Sequence, residues 1–231
     1  KLLVFLGQHG IPLHIYNYYG YYTGSFYPRD RLVSGFLFVK QVQHYLDPSK
    51  RIEIAKEIVH TALHNILANL KHYSKLGKDV GGTIDEIGKE KENIEDSREV
   101  ADLMGIEGRA RERYYTSFPL FLREGFEFEK RTRSPPENMV NCLISFGNSL
   151  LYSTTLSEIY HTQLHPAVSY LHEPGERRFS LSLDISEVFK PIIVDRVIFT
   201  LINNRVIKPE HFVEELNACY LNEQGKRIFL A

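Results

Sequence analysis

An apolar stripe in residues 49–73 dictates much of what this chain can become. Ala55, Ile58, Val59, Ala62, Leu63, Ile66, Leu67 and Leu70 recur at three- and four-residue spacing, which marks one buried face of an α-helix. Ser49 reads as the N-cap before Lys50, and the helix runs to Tyr73. A helix of this length spans on the order of 30 Å, about the diameter of a small domain. The rest of the chain must therefore pack around it. With 231 residues, 43% of them hydrophobic, there is enough apolar material for one substantial core.

The pattern is helical from about Leu32 onward. A helix over Val33–Leu46 stops at Asp47-Pro48, and residues 78–102 hold a loop and one helix. That segment is acidic, with nine Asp/Glu against four Lys/Arg. A helix from Ser97 to Tyr115 follows, then a connector, Glu124–Ser134, leading to Pro135-Pro136. Beyond it lie helices from Glu137 to Tyr152, Thr155 to Thr162, Leu181 to Phe189 and Ile193 to Asn203. Residues 1–29 differ. Ile11–Tyr16 reads as a strand, Gly20 and Gly24 as turn glycines, and Ser25–Tyr27 as the returning strand. A lone hairpin cannot bury its faces, so residues 1–29 read as the end of an N-terminal β-domain. The expected architecture is mainly α, with a helical domain over 32–231. Lys1 lies within an apolar segment and the chain stops just after an amphipathic stretch, so more of the natural protein is expected beyond both ends.

Charge and cysteine content narrow the functional classes. The net charge is −1, so nucleic acid could be held only by a local basic patch. No apolar run reaches membrane-spanning length, and no membrane association is expected. Cys142 and Cys219 sit among apolar residues and read as reduced core thiols of a cytoplasmic protein.

Several groups could carry chemistry. Pro166–Lys190 brings His172, by way of a turn at Pro174-Gly175, towards Asp184 and Glu187, which lie three apart on one helical face beside the stripe Leu181, Ile185, Val188 and Ile192. One nitrogen and several carboxylate oxygens favour magnesium or manganese over zinc; otherwise the group is a satisfied histidine with two solvated acids. Glu107 stands between Gly105 and Gly108. Glycines in a helix weaken it by about 1 kcal/mol each, which suggests close approach by a second helix or by a ligand. His60 and His64 have zinc-clamping spacing, but Thr61 replaces the glutamate of the metalloprotease motif. Glu158 is a rival carboxylate, although Thr155 and Glu158 also match a capping box. Residues 109–133 hold seven Lys/Arg with Tyr114 and Tyr115 among them, a composition suited to phosphate contact and base stacking.

In this order, the pieces resemble the CRISPR-associated integrase, the metal-dependent endonuclease that captures new spacers. Asn17-Tyr-Tyr-Gly-Tyr-Tyr22 and Gly24-Ser-Phe-Tyr-Pro-Arg29 look like the end of that family's β-domain. Gly105-Ile-Glu-Gly-Arg-Ala110, Pro135-Pro136 through Leu143-Ile-Ser-Phe-Gly147, His172, and Leu183-Asp-Ile-Ser-Glu187 match its later motifs. The resemblance implies a metal-dependent DNA endonuclease and integrase that inserts spacers into a CRISPR array by phosphodiester transesterification. It implies one Mn2+ or Mg2+ held by Glu107, His172 and Glu187, with Asp184 a fourth catalytic acid within reach. The second acid of the pair, often aspartate in the family, is here Glu187. It further implies a homodimer, double-stranded or branched DNA as substrate, and the small nuclease-fold protein of the spacer-acquisition complex as partner. Arg109, Arg113, Arg131, Arg133, Arg177 and Arg178 are expected to hold the DNA. The competing reading is a non-catalytic helical DNA-binding scaffold in which these acids are structural.

Overall fold

The structure is a computed structural model and describes every residue except 30–33, 134, 176–178 and 217. The central element is the long helix α3 (Pro48–Lys75), numbered after a short helix α1 (Leu2–Gln8) and helix α2 (Gly35–Leu46). The expected stripe is its buried face, with Ile58 packed at the margin. The helix begins earlier than the sequence suggests. Pro48, which has no N–H to satisfy, takes the first helical position. Asp47, not Ser49, is the cap: its Oδ1 accepts the backbone N–H groups of Ser49 at 3.1 Å and Lys50 at 3.3 Å.

Around α3 pack α4 (Gly81–Glu92), α5 (Val100–Thr116) and α8 (Ser180–Phe189); between α5 and α8 the chain passes through a short helix α6 (Phe118–Phe121), the connector and α7 (Met139–Tyr160), which packs on α8. The two helices expected over Glu137–Thr162 are one. Ser153 Oγ donates to Ser149 O within the helix at 3.0 Å, and buried Thr155 meets Ser186 Oγ of α8 at 3.3 Å. These hydroxyls are satisfied without a break in the helix. Glu158 is exposed within this helix and caps nothing.

α8 also departs from its expected stripe. It buries Leu181 with a polar face, Ser180, Ser182, Asp184, Ser186 and Glu187, whereas Ile185 and Val188 are half-buried. Ser182 Oγ donates to Tyr152 O at 2.8 Å, so the polar face is bonded to α7. The helix expected over Ile193–Asn203 starts instead as a π-helical turn, Pro191–Asp195, and continues as α9 (Arg196–Asn203). Asn69 of α3 pins this turn by donating to Pro191 O at 2.7 Å.

The hairpin is present as β1 (Leu13–Tyr16) and β2 (Tyr22–Phe26), antiparallel, with Leu13 opposite Phe26. It docks on α7: Tyr27 stacks on Tyr160, and Tyr160 donates to Pro28 O at 2.6 Å. Gly20, at φ +83°, turns the chain where a Cβ would lie 2.6 Å from Phe146. A second small hairpin, β3 (Phe212–Glu215) with β4 (Ala218–Leu221), precedes the last helix, α10 (Glu223–Leu230). Cys142 and Cys219 are free and buried, as expected. Among the described residues no helix is long and apolar enough to cross a membrane.

Candidate active site

A cavity of about 780 Å³ opens between α5, α7, α8 and the connector at residues 129–133. Glu107 of α5, His172 of the segment before α8, and Glu187 of α8 all line it. Its walls therefore hold the three residues singled out as metal ligands, drawn from positions 80 residues apart in sequence.

The flanking glycines of Glu107 do not serve close helix packing. A Cβ at Gly108 would meet nothing within 4 Å, and one at Gly105 would meet only the tip of Arg109. Gly108 faces the cavity. Of the two roles open to it, room for a ligand is the one the structure supports.

Asp184 lies behind the cavity and is fully buried. Its Oδ2 accepts the backbone N–H groups of Tyr170 at 2.6 Å and Leu171 at 3.0 Å. Its Oδ1 accepts the His172 backbone N–H and ring Nδ1, both at 2.9 Å. A carboxylate can only accept here, so Nδ1 carries the proton and Nε2 offers its lone pair. Asp184 thus orients the histidine and has no oxygen left for an ion, unlike the fourth catalytic acid the resemblance implied.

Arg111, one turn beyond Glu107, fills the space between the two glutamates. Nε donates to Glu107 Oε1 at 3.1 Å and Nη2 to Glu187 Oε2 at 2.8 Å. Lys190 donates to the other oxygen of Glu187. Burial pushes the Glu187 carboxyl up, but Lys190 and Arg111 outweigh it and hold the group at about 2. Glu187 is therefore an anion at any physiological pH.

Among the described residues no three His, Cys, Asp or Glu side chains stand together as a ready-made cage for an ion. The donors nevertheless suit a hard divalent cation in kind: two carboxylates, and an imidazole fixed from behind by an acid, as metal-binding histidines commonly are. Asn148 Oδ1, buried on the wall of α7, has no partner and is a spare acceptor for whatever enters. A guanidinium and an ammonium now occupy the carboxylates that the cation would use.

The expected DNA-binding arginines divide into groups. Arg109 is clamped by Glu90 of α4 through two bonds of 2.7 and 2.8 Å, and Arg113 pairs with Glu86 at 3.1 Å. The acidic segment neutralises both, away from the cavity. Arg131 and Arg133 do line the cavity, and among the described residues neither pairs with a carboxylate. Arg131 is set in place by Asn141 Oδ1 at 3.0 Å and Ser145 Oγ at 2.9 Å. Arg177 and Arg178 lie outside the described residues. His60 and His64 are exposed on α3, and among the described residues no third ligand joins them. The sequence reading missed Arg111, Lys190 and Asp195. The first two were within reach of it, since they stand four after Glu107 and three after Glu187, the spacings at which helix side chains meet.

The whole chain, residues 1–231, matches the family model described as CRISPR associated protein Cas1. A CRISPR-associated endonuclease Cas1 of Thermodesulfovibrio yellowstonii is 51% identical over 230 residues, covering 100% of this chain and 70% of the relative. The structure of a CAS1 protein from Thermotoga maritima superposes with a TM-score of 0.90 at 48% identity, over 99% of this chain and 72% of the other. A chain in a Cas6-RT-Cas1–Cas2 complex superposes at 0.86 with 27% identity, over 97% of this chain and 25% of its own length. By sequence across its full length and by fold, the chain belongs to the CRISPR-associated Cas1 family.

Proposed function

We propose that this chain is the catalytic part of a metal-dependent DNA endonuclease and integrase, which joins new spacers to a CRISPR array. The observation that carries the reading is that Glu107, His172 and Glu187, from three separate segments, line one cavity together with Arg131 and Arg133, which pair with no carboxylate among the described residues. A relative that shares half of its residues is named an endonuclease. The scaffold alternative has no comparable support, because solvated structural acids would not need to converge on a cavity.

The residues suggest how the work is divided. Glu107, His172 through Nε2, and Glu187 would hold Mn2+ or Mg2+. Such an ion, when bound, supplies neutralisation of phosphoryl charge and a lower pKa for the attacking hydroxyl. Asp184 holds the His172 ring through Nδ1, so that Nε2 would be free to bind the ion. Arg131, already fixed by Asn141 and Ser145, offers N–H groups to the phosphate without reorganising. Arg133 adds positive charge at the rim. In integration a DNA 3′-hydroxyl attacks phosphorus. One P–O bond forms, the bond to the leaving 3′-oxygen breaks, and the attacking proton passes to solvent while the leaving oxygen gains one. In cutting, water takes the place of the hydroxyl.

The partners proposed are DNA, a second copy of the chain and a Cas2-type protein, the last because a structural neighbour is part of a Cas1–Cas2 complex. A thermal-shift titration tests the metal reading. Mn2+ at about a hundred times its Kd should stabilise the protein by about 2.7 kcal/mol, which is several degrees. Glu107→Ala should remove most of that shift. A shift that persists unchanged in Glu107→Ala would refute the ligand set.

A further inference from the structure

Arg111 and a divalent cation compete for the same two carboxylates. The guanidinium bridges Glu107 and Glu187, and Arg111 is only 7% exposed. If a cation takes both glutamates, Arg111 loses its partners inside the protein. A buried charge left without a partner is strongly unfavourable. Loading the site therefore requires somewhere for the guanidinium to go.

Among the described residues, one buried carboxylate oxygen has no hydrogen-bond partner, and it is Oδ2 of Asp195. Asp195 is 2% exposed. Its carboxyl lies within electrostatic reach of Arg111, Lys190 and Glu187. The rest of Asp195 is firmly held. It ends the π-helical turn, its own N–H donating to Lys190 O at 3.1 Å. Asn69 donates to the Tyr114 hydroxyl at 3.0 Å and to Pro191 O at 2.7 Å, which ties α5 to the head of the turn. A π-turn inserts one residue into the helical register, a distortion found most often at functional sites. Here it ends on Asp195, an acid in electrostatic reach of Arg111.

We propose that Asp195 is a positioning residue that receives Arg111: when a divalent cation takes Glu107 and Glu187, the guanidinium turns onto the free Oδ2 of Asp195. In the absence of the cation Arg111 is its placeholder and keeps the two glutamates from repelling one another. In its presence the Arg111–Asp195 pair leaves neither buried charge without a partner. This inference rests on the reading that Glu107, His172 and Glu187 take a divalent cation.

The test is a double-mutant cycle in which Mn2+ affinity is measured by the paramagnetic resonance of free Mn2+, alongside the melting temperature without metal. Asp195→Asn keeps the shape but removes the receiving charge. It should raise the Kd for Mn2+ roughly tenfold, because the binding-competent arrangement becomes less populated, without lowering the metal-free melting temperature. In an Arg111→Gln background the same change should have little effect on Kd. Arg111→Gln alone should bind Mn2+ at least as tightly as the native protein while melting lower without metal, and this arm stands even where Asp195→Asn does not fold. An unchanged Kd in Asp195→Asn overturns the proposal. So does an equal loss in the Arg111→Gln background, which would mean that Asp195 acts on the ion by its charge alone. Failure of the native protein to bind Mn2+ would instead remove the metal reading, and this inference with it.

Discussion

Asp184 decides what His172 can do. Its four accepted bonds leave it fully buried and use both oxygens, so its effect on chemistry passes through the imidazole. Asp184→Asn should release the ring tautomer and strip a charge from three backbone N–H groups. Outer-shell changes of this kind lower metal affinity or activity by about 10–100-fold, and strand-cutting rates with saturating DNA would measure it. Glu158 is the contrasting acid. Exposed and without a capping role, it should tolerate Glu158→Ala within about 0.5 kcal/mol, as a denaturant titration would show. Asp195 carries a pH signature. Burial pushes its carboxyl up to about 6 from 3.8, although Arg111 pulls the other way. A folded pKa above the unfolded one means that the folded state binds the proton more tightly. The stability from this group is therefore complete below 3.8 and declines as pH rises to about 6. Asp195→Asn escapes that decline. Its gain in stability over the native protein should be small near about pH 4 and reach on the order of 1–3 kcal/mol above about pH 7.

At the scale of elements, α4 and α5 settle which arginines are free. The acidic helix α4 faces α5 and takes Arg109 and Arg113 into ion pairs, whereas the connector presents Arg131 and Arg133 to the cavity. The logarithm of DNA affinity should fall linearly with log salt, by about 0.9 per phosphate contact. Replacing Arg131 and Arg133 with alanine should reduce that slope by about 2, and replacing Arg109 and Arg113 should leave it almost unchanged. The sequence could not separate the two pairs, because all four arginines lie within one basic stretch and only the packing of α4 distinguishes them. Helix α3 was legible because eight apolar positions repeat with one period. α8 was half legible: its acids fall on one face, as the spacing required, but burial of that polar face depends on hydroxyl bonds to α7 that no periodicity reveals. The unbroken α7 makes its own prediction. A Cβ at Gly147 would lie 2.6 Å from Val194 and 3.0 Å from Phe229, so Gly147→Ala should destabilise by about 1–3 kcal/mol through overpacking.

Taken whole, the molecule is a helical body that brings a glutamate, a histidine and a second glutamate to one cavity and keeps their charges in check with Arg111 and Lys190. Glu107, His172 and Glu187, proposed as metal ligands, could be singled out from sequence because their motifs occur in a recognisable order, and the structure brings them to one cavity. The placeholder arginine and the buried Asp195 could not, since their significance lies in which side chains meet after folding. The small hairpin β3–β4 was equally hidden, four-residue strands giving too short a pattern to read. The central claim is that these three residues form one metal-dependent centre, and the most direct test is cutting of branched DNA with Mn2+ by purified variants. Glu107→Ala, His172→Ala and Glu187→Ala should each abolish Mn2+-dependent cutting while melting cooperatively, and Glu158→Ala should cut like the native protein. Cutting that survives loss of any one of the three in a folded variant, or that vanishes in Glu158→Ala, would contradict the account.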